Sequence, residues 1–400
     1  MFKILLLSIS CSLVNAQVER QSIHQTELEY NKAFYLEPTF RPILEKAKPL
    51  NPRKKGPSKN VFGYHPYWSG TKWQNYNFDL LTTIAYFSAE SNSKGELTNL
   101  HGWPATDLIN KAHNNGVEVV LTVTLFNKLD LEVLLSSSQN RTRLIQNLTD
   151  QVFDAGADGV NIDFEAFPSS QKFNLIIFTK NLRESLRAKI PNAQVTLATP
   201  AVDWNNAWDF NALANVSDGL FVMGYDYHWP GSSNTGPVAP LKGGSHNITS
   251  TINTYLLATG NNSEKIILGN PYYGYQWPAN SGNKGASTTA NGSSVNYTSA
   301  ENNAKYHGNL WDSSSATPWY KYQDNGWFQA WYDDSLSLSH KYDLSIEKNL
   351  AGIGIWALGY DDGTDKLWNA LKEKVGGLSK PSPPISFNIT NLGNGIISID

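Results

Sequence analysis

The sequence predicts an α/β protein whose eight strands close into a (β/α)8 TIM barrel with a small β-rich insertion between strands seven and eight. Three observations predict it. Short β-rich runs recur at 61–66, 82–88, 117–124, 158–165, 194–200, 218–226, 265–271 and 352–358. Helical periodicities fill several of the gaps: Leu144, Leu148 and Val152 are spaced by four, and Leu175, Phe178, Leu182, Leu186 and Ile190 repeat at three and four until Pro191 stops them. Strands alternating with such helices imply parallel strands joined by βα units. No Gly-rich phosphate loop follows the first strand, which argues for a closed barrel over an open doubly wound sheet.

Taken in order, the chain opens with Lys3 and the apolar run Ile4 to Val14, followed by Asn15 and Ala16. This reads as a signal peptide over residues 1–16, so a secreted, periplasmic or cell-surface location is expected. The run is too short to span a bilayer, and no membrane association is expected after cleavage. Cys11, the only cysteine, lies inside it, so the mature chain has no disulfide. Residues 17–58 are polar and read as a leader and linker, with some helix around Gln25 to Phe34 and a solvated basic run at Arg53-Lys54-Lys55. The barrel is assigned to 59–376. Residues 272–351 are too many for one connection, and Asn325-Gly326 between two aromatic runs is a hairpin signal. They read as the β-rich insertion, one wall of a cleft. Residues 377–384 form a Pro-rich linker, and 385–400 read as the start of a truncated β-sandwich module of fibronectin III type.

Composition narrows the partners. A net charge of −3 gives no reason to expect nucleic acid. The chain holds 13 Trp and 19 Tyr; core packing explains many aromatic residues, but nine Trp between Trp204 and Trp356 in a polar stretch also suit flat amphipathic ligands such as sugar rings. A monomer is expected.

The chemistry is concentrated in Asp158-Gly-Val-Asn-Ile-Asp-Phe-Glu165. Side chains alternate across a strand, so Asn161, Asp163 and Glu165 share one face and Val160, Ile162 and Phe164 the other. The apolar face must pack on helices, which turns the polar face into the barrel. Glu165 comes last, at the C-terminal mouth where barrel enzymes keep their active sites. Burial and mutual repulsion raise a carboxyl pKa toward the range of a general acid. An Asp-x-Glu pair alone would also fit a salt-bridged strand end. Clustered carboxylates suit hard cations too, but this strand offers no histidine and Asn161 lowers its charge, so neither metal nor cofactor is expected.

This strand resembles the signature of family 18 glycoside hydrolases, the chitinase family. Met223-Gly-Tyr-Asp-Tyr-His-Trp229 resembles the family's sixth strand and Gly352-Ile-Gly-Ile-Trp-Ala-Leu-Gly-Tyr-Asp-Asp-Gly363 its eighth. Phe62-Gly-Tyr64 and Gly269-Asn-Pro-Tyr-Tyr-Gly274 match as well. The resemblance implies a hydrolase of N-acetylglucosamine-containing polysaccharide, chitin foremost. Glu165 is then the proton donor, Asp163 the group that orients the substrate's acetamido N–H, and Tyr225 the holder of the acetamido oxygen. Trp356 is the floor under the sugar, with Asp226, Met223, Tyr64 and Asn161 as further binding residues. The alternatives are a peptidoglycan N-acetylglucosaminidase with the same mechanism and a non-catalytic chitin-binding lectin; retention of Glu165 argues against the lectin. Two departures stand out. Asn161 replaces the family's commonest Asp, which predicts a more acidic Asp163 hydrogen-bonded to the Asn161 amide. Leu121-Thr-Val-Thr-Leu-Phe126 replaces a Ser-x-Gly-Gly strand, which predicts an altered cleft.

Overall fold

The computed structural model describes residues 20–34, 45–53, 56–376, 389–391 and 397–399. The signal peptide, Lys54-Lys55 and the Pro-rich linker lie outside them. Eight parallel strands form a closed ring: β1 (Asn60–Pro66), β2 (Thr83–Ser91), β4 (Glu118–Leu125), β5 (Gly159–Phe164), β6 (Gln194–Pro200), β7 (Gly219–Met223), β8 (Ile266–Pro271) and β14 (Gly352–Trp356), which returns to β1. A short strand β3 (Leu97–Asn99) adds antiparallel to β2 outside the ring.

Helices α2 (Thr106–Asn114), α3 (Lys128–Ser136), α4 (Ser138–Ala155), α5 (Lys172–Lys189), α6 (Phe210–Val216), α7 (Ile248–Ala258), α9 (Ser335–Glu347) and α10 (Asp365–Val375) occupy the connections. The alternation read from β5 has its expected consequence: Phe164 faces outward, its ring 5.7 Å from that of Phe178 on α5. Among these helices none is long and apolar enough to cross a membrane.

The ring's interior is filled. Phe221 of β7 packs edge-on to Tyr64 of β1, with ring centroids 4.9 Å apart. It fits because β8 and β14 carry Gly269 and Gly354 beside it. A Cβ at Gly354 would lie 2.3 Å from the Phe221 ring and one at Gly269 2.5 Å, both far inside contact distance. The two threonines of the departing third-strand motif, Thr122 and Thr124, are buried and register with Asn161 and Asp163.

The insertion between β8 and β14 is an antiparallel sheet of β9 (Tyr273–Ala279), β10 (Ser293–Asn296), β11 (Leu310–Asp312), β12 (Thr317–Gln323) and β13 (Trp327–Trp331), in the order β10-β9-β13-β12-β11, with α8 (Tyr297–His307) alongside. Asn325-Gly326 makes the β12–β13 turn with positive φ at both residues.

The polar leader carries the helix expected near Gln25, and Arg53 of the basic run, expected to be solvated, donates to the Phe78 and Asp79 carbonyls. Residues Ile23–Lys32 form helix α1 across the C-terminal mouth of the barrel. Ser22 caps it by accepting the Gln25 N–H, a Ser-x-x-Gln start signal. Ile23, His24 and Leu28 are buried on one face. That face is half polar because it meets a polar site. The chain is next described at the opposite end of the barrel, where the Ala47 N–H donates to the Ala155 carbonyl and Asn51 to that of His113. Beyond the barrel, β15 (Ile389–Asn391) and β16 (Ile397–Ile399) pair antiparallel.

Candidate active site

The mouth of the ring gathers side chains from several strand ends. Asp163 is the penultimate residue of β5, and Glu165 follows the strand by one residue, its N–H still donating to Leu125. Asp163 is fully buried, while the Glu165 side chain keeps 14% exposure. Tyr225 and Asp226 follow β7, and Trp356 ends β14. Met223 ends β7 and lines a cavity of about 410 Å3 with Glu165, Tyr225, Asp203, Trp204 and Trp208. Tyr64 and Asn161 sit one layer deeper, and the Tyr64 hydroxyl donates to Asn161 Oδ1 at 2.8 Å.

The Asn161 amide donates to Thr196 at 2.9 Å. The expected hydrogen bond from Asn161 to Asp163 is therefore replaced: the amide is already satisfied by the facing Thr196 on β6. The expected acidity of Asp163 is also reversed. Burial pushes its carboxyl up to about 8, because losing water disfavours the charged form more than removal of one neighbouring charge helps it.

Helix α1 completes the site. The His24 ring stacks on Trp356 with centroids 3.7 Å apart and planes 26° apart. Its Nδ1 is 2.8 Å from Asp163 Oδ2 and its Nε2 2.8 Å from the Tyr225 hydroxyl. Burial lowers His24 to about 4. The His24 ring thus bridges the Asp163 carboxyl and the Tyr225 hydroxyl. The Ser22 hydroxyl donates to Glu165 Oε1 at 2.7 Å. The Ile23 N–H, at the positive end of the helix, donates to Asp226 Oδ2 at 2.9 Å. Asp226 also accepts from Tyr273 and Tyr275 of β9. Glu27 accepts from Trp356 Nε1 at 3.2 Å and Tyr360 at 2.6 Å.

Burial raises Glu165 to about 8, with the Asp163 charge adding to it and His24 and Ser22 opposing. A carboxyl so placed holds its proton at neutral pH and can deliver it to a leaving oxygen. Among the described residues, His24, Asp163 and Glu165 are the one group of three with ligand atoms close enough to hold a metal, within 4.8 Å of one another. The histidine that β5 lacks is supplied from α1, and its contacts to the two acids are a proton-sharing hydrogen bond to Asp163 and a 3.8 Å approach to Glu165.

The eight residues singled out in the sequence meet at this mouth or directly beneath it. Tyr273, Tyr275 and Tyr360 were missed, although the aromatic motifs around them were visible. Ser22, His24 and Glu27 escape a reading of residues 17–58 as leader and linker; the capping signal at Ser22 is the available clue.

The family model described as "Glycosyl hydrolases family 18" matches residues 60–361. The chain is 31% identical over 235 residues to YdhD of Bacillus subtilis, covering 56% of this chain and 52% of that protein, so it spans about half of that relative. It is 27% identical over 338 residues to human di-N-acetylchitobiase, covering 76% of this chain and 81% of that one. Its fold is similar to that of the Ostrinia furnacalis Group IV chitinase in complex with allosamidin, with TM-score 0.70, 20% identity, and coverage of 79% and 98%.

Proposed function

Because this chain belongs to glycosyl hydrolase family 18, and is therefore a glycoside hydrolase, we propose that it is a secreted enzyme cleaving β-1,4-linked N-acetylglucosamine chains, chitin or its oligosaccharides, with retention of configuration. One observation carries the reading. A single small ring lying flat on Trp356 touches Asp163 and Tyr225 at once, while a hydroxyl beside it reaches Glu165. A sugar stacked in that place would set its 2-acetamido group between Asp163 and Tyr225 and its glycosidic oxygen at Glu165.

The chemistry then follows. Glu165 gives its proton to the glycosidic oxygen as the C1–O bond breaks. The substrate's acetamido oxygen bonds to C1 from the opposite face, forming an oxazolinium ion, so no enzyme carboxylate attacks. Asp163 accepts the acetamido N–H through a carboxyl oxygen, and the Tyr225 hydroxyl donates to the acetamido oxygen. The ionised Glu165 takes a proton from water, whose oxygen attacks C1 and opens the ring.

Digestion of chitin oligomers, peptidoglycan and a high-mannose glycopeptide side by side, read by mass spectrometry, tests the substrate. Cleavage of the chitin oligomers is expected. Cleavage of peptidoglycan alone would move the assignment to a glucosaminidase of the same mechanism, and cleavage of none would overturn it.

A further inference from the structure

The groups that fill the candidate site belong to the chain itself. We propose that residues 20–33 are an autoinhibitory strap, a built-in occupant of the sugar-binding centre that must leave before substrate enters. The proposal rests on the reading of Trp356 as sugar floor and Glu165 as acid.

Occupancy is complete at the centre. With α1 in place, Trp356 and Asp163 are 0% exposed and Tyr225 3%, so no sugar can touch them. The strap also answers the site group by group. The His24 ring takes the place of a sugar plane on Trp356. Its two nitrogens engage Asp163 and Tyr225, the pair assigned to the acetamido group. The Ser22 hydroxyl stands at Glu165 where a glycosidic oxygen would accept its proton. Ile23 and Arg20 hold Asp226 through its carboxylate and its carbonyl oxygen, and Glu27 takes the Trp356 and Tyr360 donors.

The barrel does not need this helix for closure. The ring of eight strands is complete without it, and α1 joins no sheet. A ten-residue helix is marginal alone in water; here the buried Ile23 and Leu28 and the site's polar groups together hold it in place. A helix recruited only to stabilise the mouth would have no need to bury an imidazole between the Asp163 carboxyl and the Tyr225 hydroxyl. Open clefts remain on both sides of it. One, of about 410 Å3, runs past Trp204 and Trp208; the other, of about 730 Å3, lies among Trp68, Lys72, Trp229 and Tyr275. The strap thus bisects a longer groove at the point where the chemistry is assigned. As a tethered segment it competes at an effective concentration on the order of millimolar, enough to exclude substrate without tight intrinsic binding.

The test uses the full chain and its Ser22→Ala/His24→Ala double variant, with thermal unfolding to establish that both are folded. Initial rates are measured on a fluorogenic chitobioside, and binding of an N-acetylglucosamine thiazoline is measured by calorimetry. Loss of the strap's three hydrogen bonds to the site, together with the Ser22 cap, should raise kcat/KM and tighten thiazoline binding by at least ~10-fold. A folded double variant that hydrolyses and binds as the parent does, or more weakly, overturns the strap and leaves the proposed function standing. Tighter thiazoline binding with no hydrolysis by either protein supports the strap and overturns the proposed function. A second variant, Glu27→Ala, removes a different anchor and should shift both readouts in the same direction; opposite shifts in the two variants would also overturn it.

Discussion

Replacement of Glu165 by Gln isolates the proton that the chemistry requires. The side chain keeps its size and can still accept from Ser22, but it has no acidic proton to deliver. The magnitude follows from the pKa. At about 8, roughly nine-tenths of Glu165 is protonated at pH 7, against roughly 0.3% for a carboxyl at its ordinary value. Burial with α1 in place therefore supplies about 300 times more of the acid form. General acid catalysis is worth ~10²–10⁴-fold, and kcat for Glu165→Gln should fall by that much or more. Release of a fluorescent leaving group measures it, in the parent and in the Ser22→Ala/His24→Ala background, with calorimetry to show that oligosaccharide binding persists. Turnover within about threefold of the parent, in a folded protein that binds normally, would refute the role of Glu165, because that is far below the effect of losing a general acid.

Other expectations follow from single features. Trp356→Ala removes a stacking surface and leaves a large hole; it should weaken oligosaccharide affinity by ~10-fold and cost ~3–5 kcal/mol of stability, and calorimetry together with denaturant unfolding reads both. Gly354→Ala forces a Cβ against the Phe221 ring and should lower stability by ~1–3 kcal/mol, seen as a lower Tm with the site residues untouched. The pH dependence of Tm has a defined sign. Glu165, Asp163 and Glu27 each rise to about 8 in the folded chain from ordinary values near 4, so their contribution is fullest at low pH and is lost as pH rises through 8. His24, lowered from 6.5 to about 4, opposes this: its contribution is present above 6.5 and is lost as pH falls through 4. Tm should decline from pH 6.5 to 8.5, and the decline should be shallower in Glu165→Gln; an unchanged slope would contradict the burial assigned to that carboxyl.

Much of the barrel was legible because each strand is a local pattern. Alternation in Val160 to Glu165 determines which face meets helices, and the ring obeys it. The insertion was legible through the Asn325-Gly326 turn. What could not be read was how separate segments meet. Asn161 was expected to bond Asp163 two residues away on the same face, yet the hydroxyl of Thr196 on the next strand satisfies it first. The direction of the Asp163 pKa was misjudged for the same reason, since burial is a property of everything packed above the strand. Helix α1 was legible as a helix, but its partner was not. Amphipathic patterns announce apolar faces, and a segment that sets Ser22, His24 and Glu27 against a polar site carries no such stripe. Only the tertiary structure brings its polar groups to the carboxylates of β5.

The identity of the nucleophile is tested most directly by proton NMR of the first products from a chitin tetrasaccharide, recorded before mutarotation. Attack by the substrate's own acetamido oxygen followed by water predicts the β-anomer at the new reducing end. Initial formation of the α-anomer would mean direct displacement by water and would contradict the roles given to Asp163, Tyr225 and Glu165.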